Sequence, residues 1–379
     1  MRRANLACLL VLFSATAASA QDSTANSQPS LATTPAVVAG SRAGAMGRYA
    51  MPHILPPVEK VAKATDTAAP PLPMPRPEVP DRVLEELRKK NLKIPAKQLF
   101  GHTRLPAAMR PQAVGYYSRG CLAGGAALPI NGKAWQVMRL SRNRNWGHPA
   151  LVALIERLAR DVSAKDGWPG LLVGDMSQPR GGPMLTGHAS HQMGLDADIW
   201  LTPMPARRLT RRERETTSAI SMLSADRRHA DPKIFTANHQ ALILRAASYP
   251  EVERIFVHPG IKKALCEAKG LDHSNFYKIR PYWGHHYHMH IRMGCPHGSE
   301  QCREQAPTHH NDDGCGKEIN DWMALIDRSL RPKKPRPPST KPVKPRKPKP
   351  PITLADMPEL CTQVIEAPAI TVTPAAAAR

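Results

Sequence analysis

Apolar and polar positions along this chain alternate between two periods. After Pro149, a residue suited to the first turn of a helix, Leu151, Val152, Leu154, Ile155, Leu158 and Val162 recur at helical spacing. Ala237 to Ala247 follows the same period. Leu171 to Val173 is a short apolar run that stops at Gly174 and reads as a strand. Leu195 to Leu201 alternates, with Ala197 and Ile199 on one face and Asp196 and Asp198 on the other. Ile255 to Val257 reads as a short buried strand, and Tyr287 to Met293 alternates most cleanly of all. Interleaved helices and strands predict an α+β domain, with a central antiparallel sheet and helices flanking it. No internal repeat is visible.

The ends of the chain lack this periodicity. Arg2 and Arg3 precede an apolar run from Leu6 to Phe13, and Ala18-Ser19-Ala20 supplies a small-residue cleavage site, so residues 1–20 read as a signal peptide. The run falls short of the ~20 residues that span a bilayer, and no later stretch reaches that length, so no transmembrane segment is expected. Cys8 lies within the run in a context that matches a lipoprotein box poorly. Residues 21–80 are rich in Ala, Pro, Ser and Thr and too poor in large apolar groups to offset their ordering entropy, so 21–95 reads as a disordered leader with a short charged helix from Glu78 to Leu92. The folded domain is expected over 96–330, roughly 235 residues, long enough for a single core. A basic, Pro-rich arm and a C-terminal segment fill 331–379.

Charge and cysteine content refine the reading. The formal net charge is +22, but much of it sits in residues 331–350, where Lys or Arg alternates with Pro and no acid occurs. Such a stretch favours extended polyproline II and is a stiff, solvated arm, either a linker or a means of holding anionic envelope polymers. For an exported chain, nucleic acid is not the expected partner. With Cys8 removed, Cys121, Cys266, Cys295, Cys302, Cys315 and Cys361 remain. An even number in an oxidising compartment predicts three disulfides, among 15 possible connectivities for six cysteines. A structural cysteine-zinc site is the rival, and the lack of any C-x-x-C pair argues against it.

Two clusters carry the candidate chemistry, Gly187-His188-Ala189-Ser190-His191-Gln192-Met193-Gly194-Leu195-Asp196-Ala197-Asp198 and His285-His286-Tyr287-His288-Met289-His290. Two imidazoles and a carboxylate make an effective zinc site with one position left for water. On a strand, His288 and His290 project from one face about 7 Å apart, so one can bind a metal while the other stands beside it. An isolated H-x-H is common. H-x-x-H-x6-D followed by H-x-H is far more specific. The H-E-x-x-H helix of thermolysin-type peptidases is absent.

These patterns, G-H-x-S-H-Q-x-G-L-D-x-D and H-x-x-H-M-H, resemble the penicillin-insensitive murein endopeptidases, relatives of the D-Ala-D-Ala peptidases and lysostaphin-type enzymes. The resemblance extends through Gly120–Gly124, Gln136–Arg139, Gly147–Pro149, Arg254–Val257 and Asp313–Gly316, and covers about 95–330 plus the segment around Cys361. It implies a catalytic zinc on His191, Asp198 and His290, with His188 beside it. Asp226 and His229 match a pair that can hold a second metal together with His188. Disulfides Cys121–Cys361, Cys266–Cys315 and Cys295–Cys302 are implied as well. The implied reaction is metal-assisted hydrolysis of the D-alanyl–meso-diaminopimelyl cross-bridge of peptidoglycan, in the periplasm and without an active-site serine. Ser190 lacks any S-x-x-K context and reads as structural. His288 is placed as general base and His285 as oxyanion stabiliser, two roles that can be exchanged.

On a regular strand His286 shares a face with His288 and His290, so it either competes as a ligand or points away beyond the strand end. Trp146, Trp200, Tyr282 and Trp283 are candidates for a substrate groove, with core packing expected for at least two. A zinc carboxypeptidase trimming terminal D-alanine would use the same metal core. A non-catalytic wall-binding protein with a vestigial site is the alternative of another class, and it predicts missing ligands where none is missing.

Overall fold

Six short strands build the central sheet: β1 (Trp135–Val137), β2 (Leu171–Val173), β3 (Asp196–Trp200), β4 (Val252–Val257), β5 (Ile279–Pro281) and β6 (His288–Met293), in the spatial order β1-β2-β3-β6-β4-β5. This computed structural model describes residues 94–332 and 350–370. The expected signal peptide, Cys8, the leader as far as residue 93 with its Glu78–Leu92 helix, and arm residues 333–349 lie outside the described residues.

The fold is α+β, and its sheet is mixed. From β2 through β3 and β6 to β4 the neighbours run antiparallel, as alternating strands suggest. Both edges pair parallel, β1 with β2 and β4 with β5. In each parallel pair a helix lies between the two strands in sequence, α1 (Pro149–Lys165) in the first and α3 (Pro259–Glu267) in the second. A crossover through a helix returns the chain in its starting direction and so permits parallel pairing, which a tight turn cannot do.

Helix α1 begins where Pro149 suggested, and Leu151, Leu154, Ile155, Leu158 and Val162 are buried along one stripe. The His148 ring caps it, its Nδ1 accepting from the Ala150 amide at 3.2 Å. Helix α2 (Ala237–Ser248) packs against α1 and β4, and α3 packs against α4 (Lys317–Leu330) and β5. The predicted strands at 195–201, 255–257 and 287–293 are observed as β3, β4 and β6. Among the described residues no helix is long and apolar enough to cross a membrane.

The core occupies one face of the sheet, where Ala197 and Ile199 of β3 and Met289, Ile291 and Met293 of β6 are buried. The opposite face of the same two strands carries Asp196, Asp198, His288, His290 and Arg292, and these are buried too. Charge and imidazole kept from water in this way require partners.

The disulfides are Cys121–Cys361, Cys266–Cys315 and Cys295–Cys302. The first joins residues 240 apart in sequence. It ties helix Leu360–Glu366 into a second small core with Phe100, Val114, Val364 and Ile365, so the far side of the basic arm is fastened to the domain. The buried Arg180 guanidinium adds hydrogen bonds to the carbonyls of Val364 and Ile365, at 2.7 and 2.8 Å.

Candidate active site

The register of β3 against β6 creates the site. His290 lies directly opposite Asp198, Arg292 opposite Asp196 and His288 opposite Trp200. The third contributor, His191, sits in the loop ahead of β3 with a left-handed backbone, φ 66°, a conformation that costs a non-glycine residue free energy and must be held by its surroundings. The His191 amide donates to Asp196 Oδ2 at 3.2 Å, its carbonyl accepts from Ser177 Oγ at 2.6 Å, and its ring Nδ1 bonds the Met176 carbonyl at 2.6 Å. Close behind, Gly194 passes so near the chain at His148 that a Cβ would stand 2.9 Å from that amide nitrogen.

These bonds determine which ring atoms are available. A carbonyl can only accept, so Nδ1 of His191 carries the proton and Nε2 presents its lone pair. His290 is held the opposite way round. Its Nε2 meets Asp196 Oδ1 at 2.7 Å, leaving Nδ1 to face Asp198. His191 Nε2 lies 3.4 Å and His290 Nδ1 3.3 Å from the same Asp198 Oδ1. A tetrahedral zinc with ~2.0 Å arms has ligand–ligand edges of about 3.3 Å. Neither His191 Nε2 nor Asp198 Oδ1 has a hydrogen-bond partner among the described residues, although both are fully buried. Buried acceptors that face one another are costly unless a cation lies between them, so the donor set fits a divalent metal.

Asp196, which drew no role from its place in the sequence, orients two of the three. It is wholly buried and bonds His290, the His191 amide and Arg292 Nε, the last at 2.8 Å. Burial opposes its charge, but Arg292 and the His290 ring overcome that and hold the carboxyl well below the usual range. Burial likewise opposes protonation of His290, yet Asp196 and Asp198 outweigh it and raise its pKa. A proton would therefore compete with any metal that this ring held. The clue to Asp196 was the D-x-D spacing, which places both carboxylates on one strand face.

His188 also reaches the cluster. Its Nε2 is 3.5 Å from Asp198 Oδ2 and 3.1 Å from Asp175 Oδ2, and ligand atoms of His188, His191 and Asp198 lie within 4.8 Å of one another, a group that could hold a metal ion. Asp175 takes Arg144 at 2.7 Å and Arg142 at 3.0 Å on the same oxygen. His288 Nε2 stands 3.6 Å from Asp198 Oδ1, and burial pushes its pKa down to about 4 against the pull of Asp198. His285, another left-handed residue at φ 36°, has Nδ1 2.7 Å from the Trp283 carbonyl. Burial, reinforced by His290 and His288, pushes its pKa down to about 3. One further His-Asp-Cys group, His273, Asp313 and Cys315, includes a sulfur already committed to Cys266.

A family model described as penicillin-insensitive murein endopeptidase matches residues 113–366. The chain belongs to that family. Proteins named penicillin-insensitive murein endopeptidase are similar to it from Haemophilus influenzae (40% identical, covering 67% of this chain and 82% of the relative), Yersinia enterocolitica (40%, 62% and 85%) and Klebsiella pneumoniae (41%, 63% and 82%).

Within this family member the remaining candidates divide clearly. Asp226 and His229 do meet, His229 Nδ1 to Asp226 Oδ2 at 2.7 Å, in an exposed turn. The ring of His188 contacts Asp175 and Asp198 instead. His286 precedes β6 and bonds Ser221 Oγ at 3.0 Å, away from the ligand face. Trp146 and Trp200 are buried, whereas Tyr282 and Trp283 are exposed beside His285 and pack with Trp322.

Proposed function

We propose that this chain is a zinc-dependent murein endopeptidase, exported to the periplasm by residues 1–20, that hydrolyses D-alanyl–meso-diaminopimelyl cross-bridges of peptidoglycan. The observation that supports it most is the buried Asp198 Oδ1, with His191 Nε2 at 3.4 Å and His290 Nδ1 at 3.3 Å, each close to the edge length of a tetrahedral zinc. Two imidazoles and one carboxylate suit zinc, with His188 as a neighbour able to enter the same group. Zinc held there supplies a Lewis acid that polarises a carbonyl and acidifies water.

The protein's own groups handle the protons. His285 donates Nδ1–H to the Trp283 carbonyl, and its low pKa keeps Nε2 unprotonated, so Nε2 can take a proton from an acidified water and release it readily. His288 is the better placed to donate to a developing oxyanion, since its ring stands beside Asp198 without a fixed acceptor. This exchanges the two roles expected from the sequence. After abstraction His285 holds the proton at Nε2 and returns it to the leaving amine, which keeps the site neutral over the cycle. Asp226 and His229, bonded to each other, favour a single-metal centre.

Mass analysis of products from defined muropeptide dimers tests the reading. Conversion to monomers, lost with a chelator and restored by zinc, is expected. Release of terminal D-alanine alone would establish the carboxypeptidase instead, and binding of wall without any cleavage would establish the non-catalytic alternative. No serine takes part, so a labelled penicillin should leave the protein unmodified and the rate unchanged.

A further inference from the structure

A cavity of about 280 Å³ opens beside the proposed metal ligands, and Arg139, Arg142, Asp175, His188, Asp198 and Tyr287 contribute to its wall. Its two arginines are not equivalent. Arg139 spends its guanidinium on the carbonyls of Arg214, Glu215 and Thr217 and lies over the Trp200 ring. The Arg142 side chain makes one hydrogen bond, Nη1 to Asp175 Oδ2 at 3.0 Å, and is 46% exposed. Asp175 is already matched by the buried Arg144 and by His188. The charge of Arg142 is therefore in excess, with Nε and Nη2 free of other hydrogen bonds among the described residues. Arg142 also closes a single helical turn between two left-handed residues, Arg139 at φ 56° and Asn143 at φ 51°. Left-handed non-glycine residues persist only where the surroundings hold them, so the backbone that presents Arg142 to the cavity wall is fixed on both sides.

We propose that this cavity is a carboxylate-binding subsite, with Arg142 taking the free carboxylate of the residue that supplies the leaving amine. This rests on the proposed cross-bridge hydrolysis, in which the diaminopimelyl residue bears a carboxyl group on the carbon next to that amine. A guanidinium fork with two open donors matches a carboxylate's two oxygens. The reach is right as well. Arg142 to Asp175, Asp175 to His188 and His188 to Asp198 measure 3.0, 3.1 and 3.5 Å, and together they span less than three residues of extended peptide at ~3.3–3.6 Å each. Residues next to the scissile bond fall within that span.

The test compares cross-linked dimers that carry the free or the amidated diaminopimelyl carboxyl group. Wild-type protein should cleave the free acid with kcat/KM at least tenfold higher, most of the difference in KM. Arg142→Gln should bring the ratio close to one by slowing the free acid, and Arg142→Lys should retain part of the preference through its point charge. Equal kcat/KM for both dimers in the wild type overturns the subsite, and that comparison needs no variant to fold. Cleavage of neither dimer overturns the proposed reaction instead. Calorimetric Kd values for the same dimers then judge the subsite: a free-acid preference supports it and equal Kd values overturn it.

Discussion

His290 and Asp198 face each other across the β3–β6 pair, with Nδ1 of one 3.3 Å from Oδ1 of the other, while Asp196 holds the far nitrogen of the ring at 2.7 Å. One strand thus supplies both a proposed ligand, Asp198, and the group that orients His290, two residues apart on one face. A carboxylate bonded to the far side of an imidazole fixes its tautomer and raises its basicity toward a metal.

Asp196→Asn should therefore weaken zinc binding by about 10–100-fold without removing a ligand. Competition against a chromophoric chelator reads this directly. Unchanged affinity would mean that His290 does not depend on Asp196. His290→Ala should remove zinc and cleavage together, and an undiminished rate would rule out the assigned metal centre.

Elemental analysis of purified protein should find one zinc per chain, and Asp226→Ala with His229→Ala should leave that content unaltered. The two side chains already satisfy each other at 2.7 Å in an exposed turn. Two zinc ions falling to one in the double variant would show a second metal held by that pair.

Stability should fall in mild acid through His239. Its Nδ1 accepts from the Thr236 amide at 3.1 Å, at the start of α2, and its Nε2 donates to the Leu201 carbonyl at 3.0 Å. Burial pushes its pKa down to about 4. Above pH ~6.5 the ring is neutral in the folded and unfolded chains alike, so it adds no pH dependence. Below that, the unfolded chain takes up a proton that the folded chain refuses until about pH 4, and stability drops by up to ~1.4 kcal/mol per unit. His239→Gln should be less stable at neutral pH but flatter between pH 6.5 and 4 in thermal melts. Parallel curves for the two proteins would remove His239 as the source.

Loss of the Cys121–Cys361 bridge should destabilise the domain by about 2–5 kcal/mol, since the bridge closes a very long loop. The paired substitution Cys121→Ala with Cys361→Ala, followed by urea unfolding, measures this. Protease susceptibility near residue 365 should rise with it, because helix Leu360–Glu366 would lose its covalent tie and rely on packing and on non-covalent contacts such as the Arg180 hydrogen bonds and the backbone bonds at Pro368 and Ile370. A midpoint shift near zero would show that packing and hydrogen bonds hold the segment without the bridge.

Local sequence determined the elements whose signals are local. The Pro149 start and apolar stripe of α1, the alternation of β3 and β6, and the H-x-x-H-x6-D and H-x-H spacings all follow from side-chain period and backbone preference within a few residues. The same spacings brought His191, Asp198 and His290 forward as candidates together, and the family resemblance supplied the cysteine pairing. Only the tertiary structure decided how the sheet edges pair, because parallel pairing depends on helices α1 and α3 crossing between strands. It alone decided that His286 leaves the face of His288 and His290 for Ser221, and that Asp175, Arg142 and Arg144 gather behind His188 from two separate segments. Those contacts join residues between 13 and 65 positions apart, and no period or motif encodes them. The tautomers of His191 and His290 belong with them, since each is set by the one acceptor that folding places behind the ring.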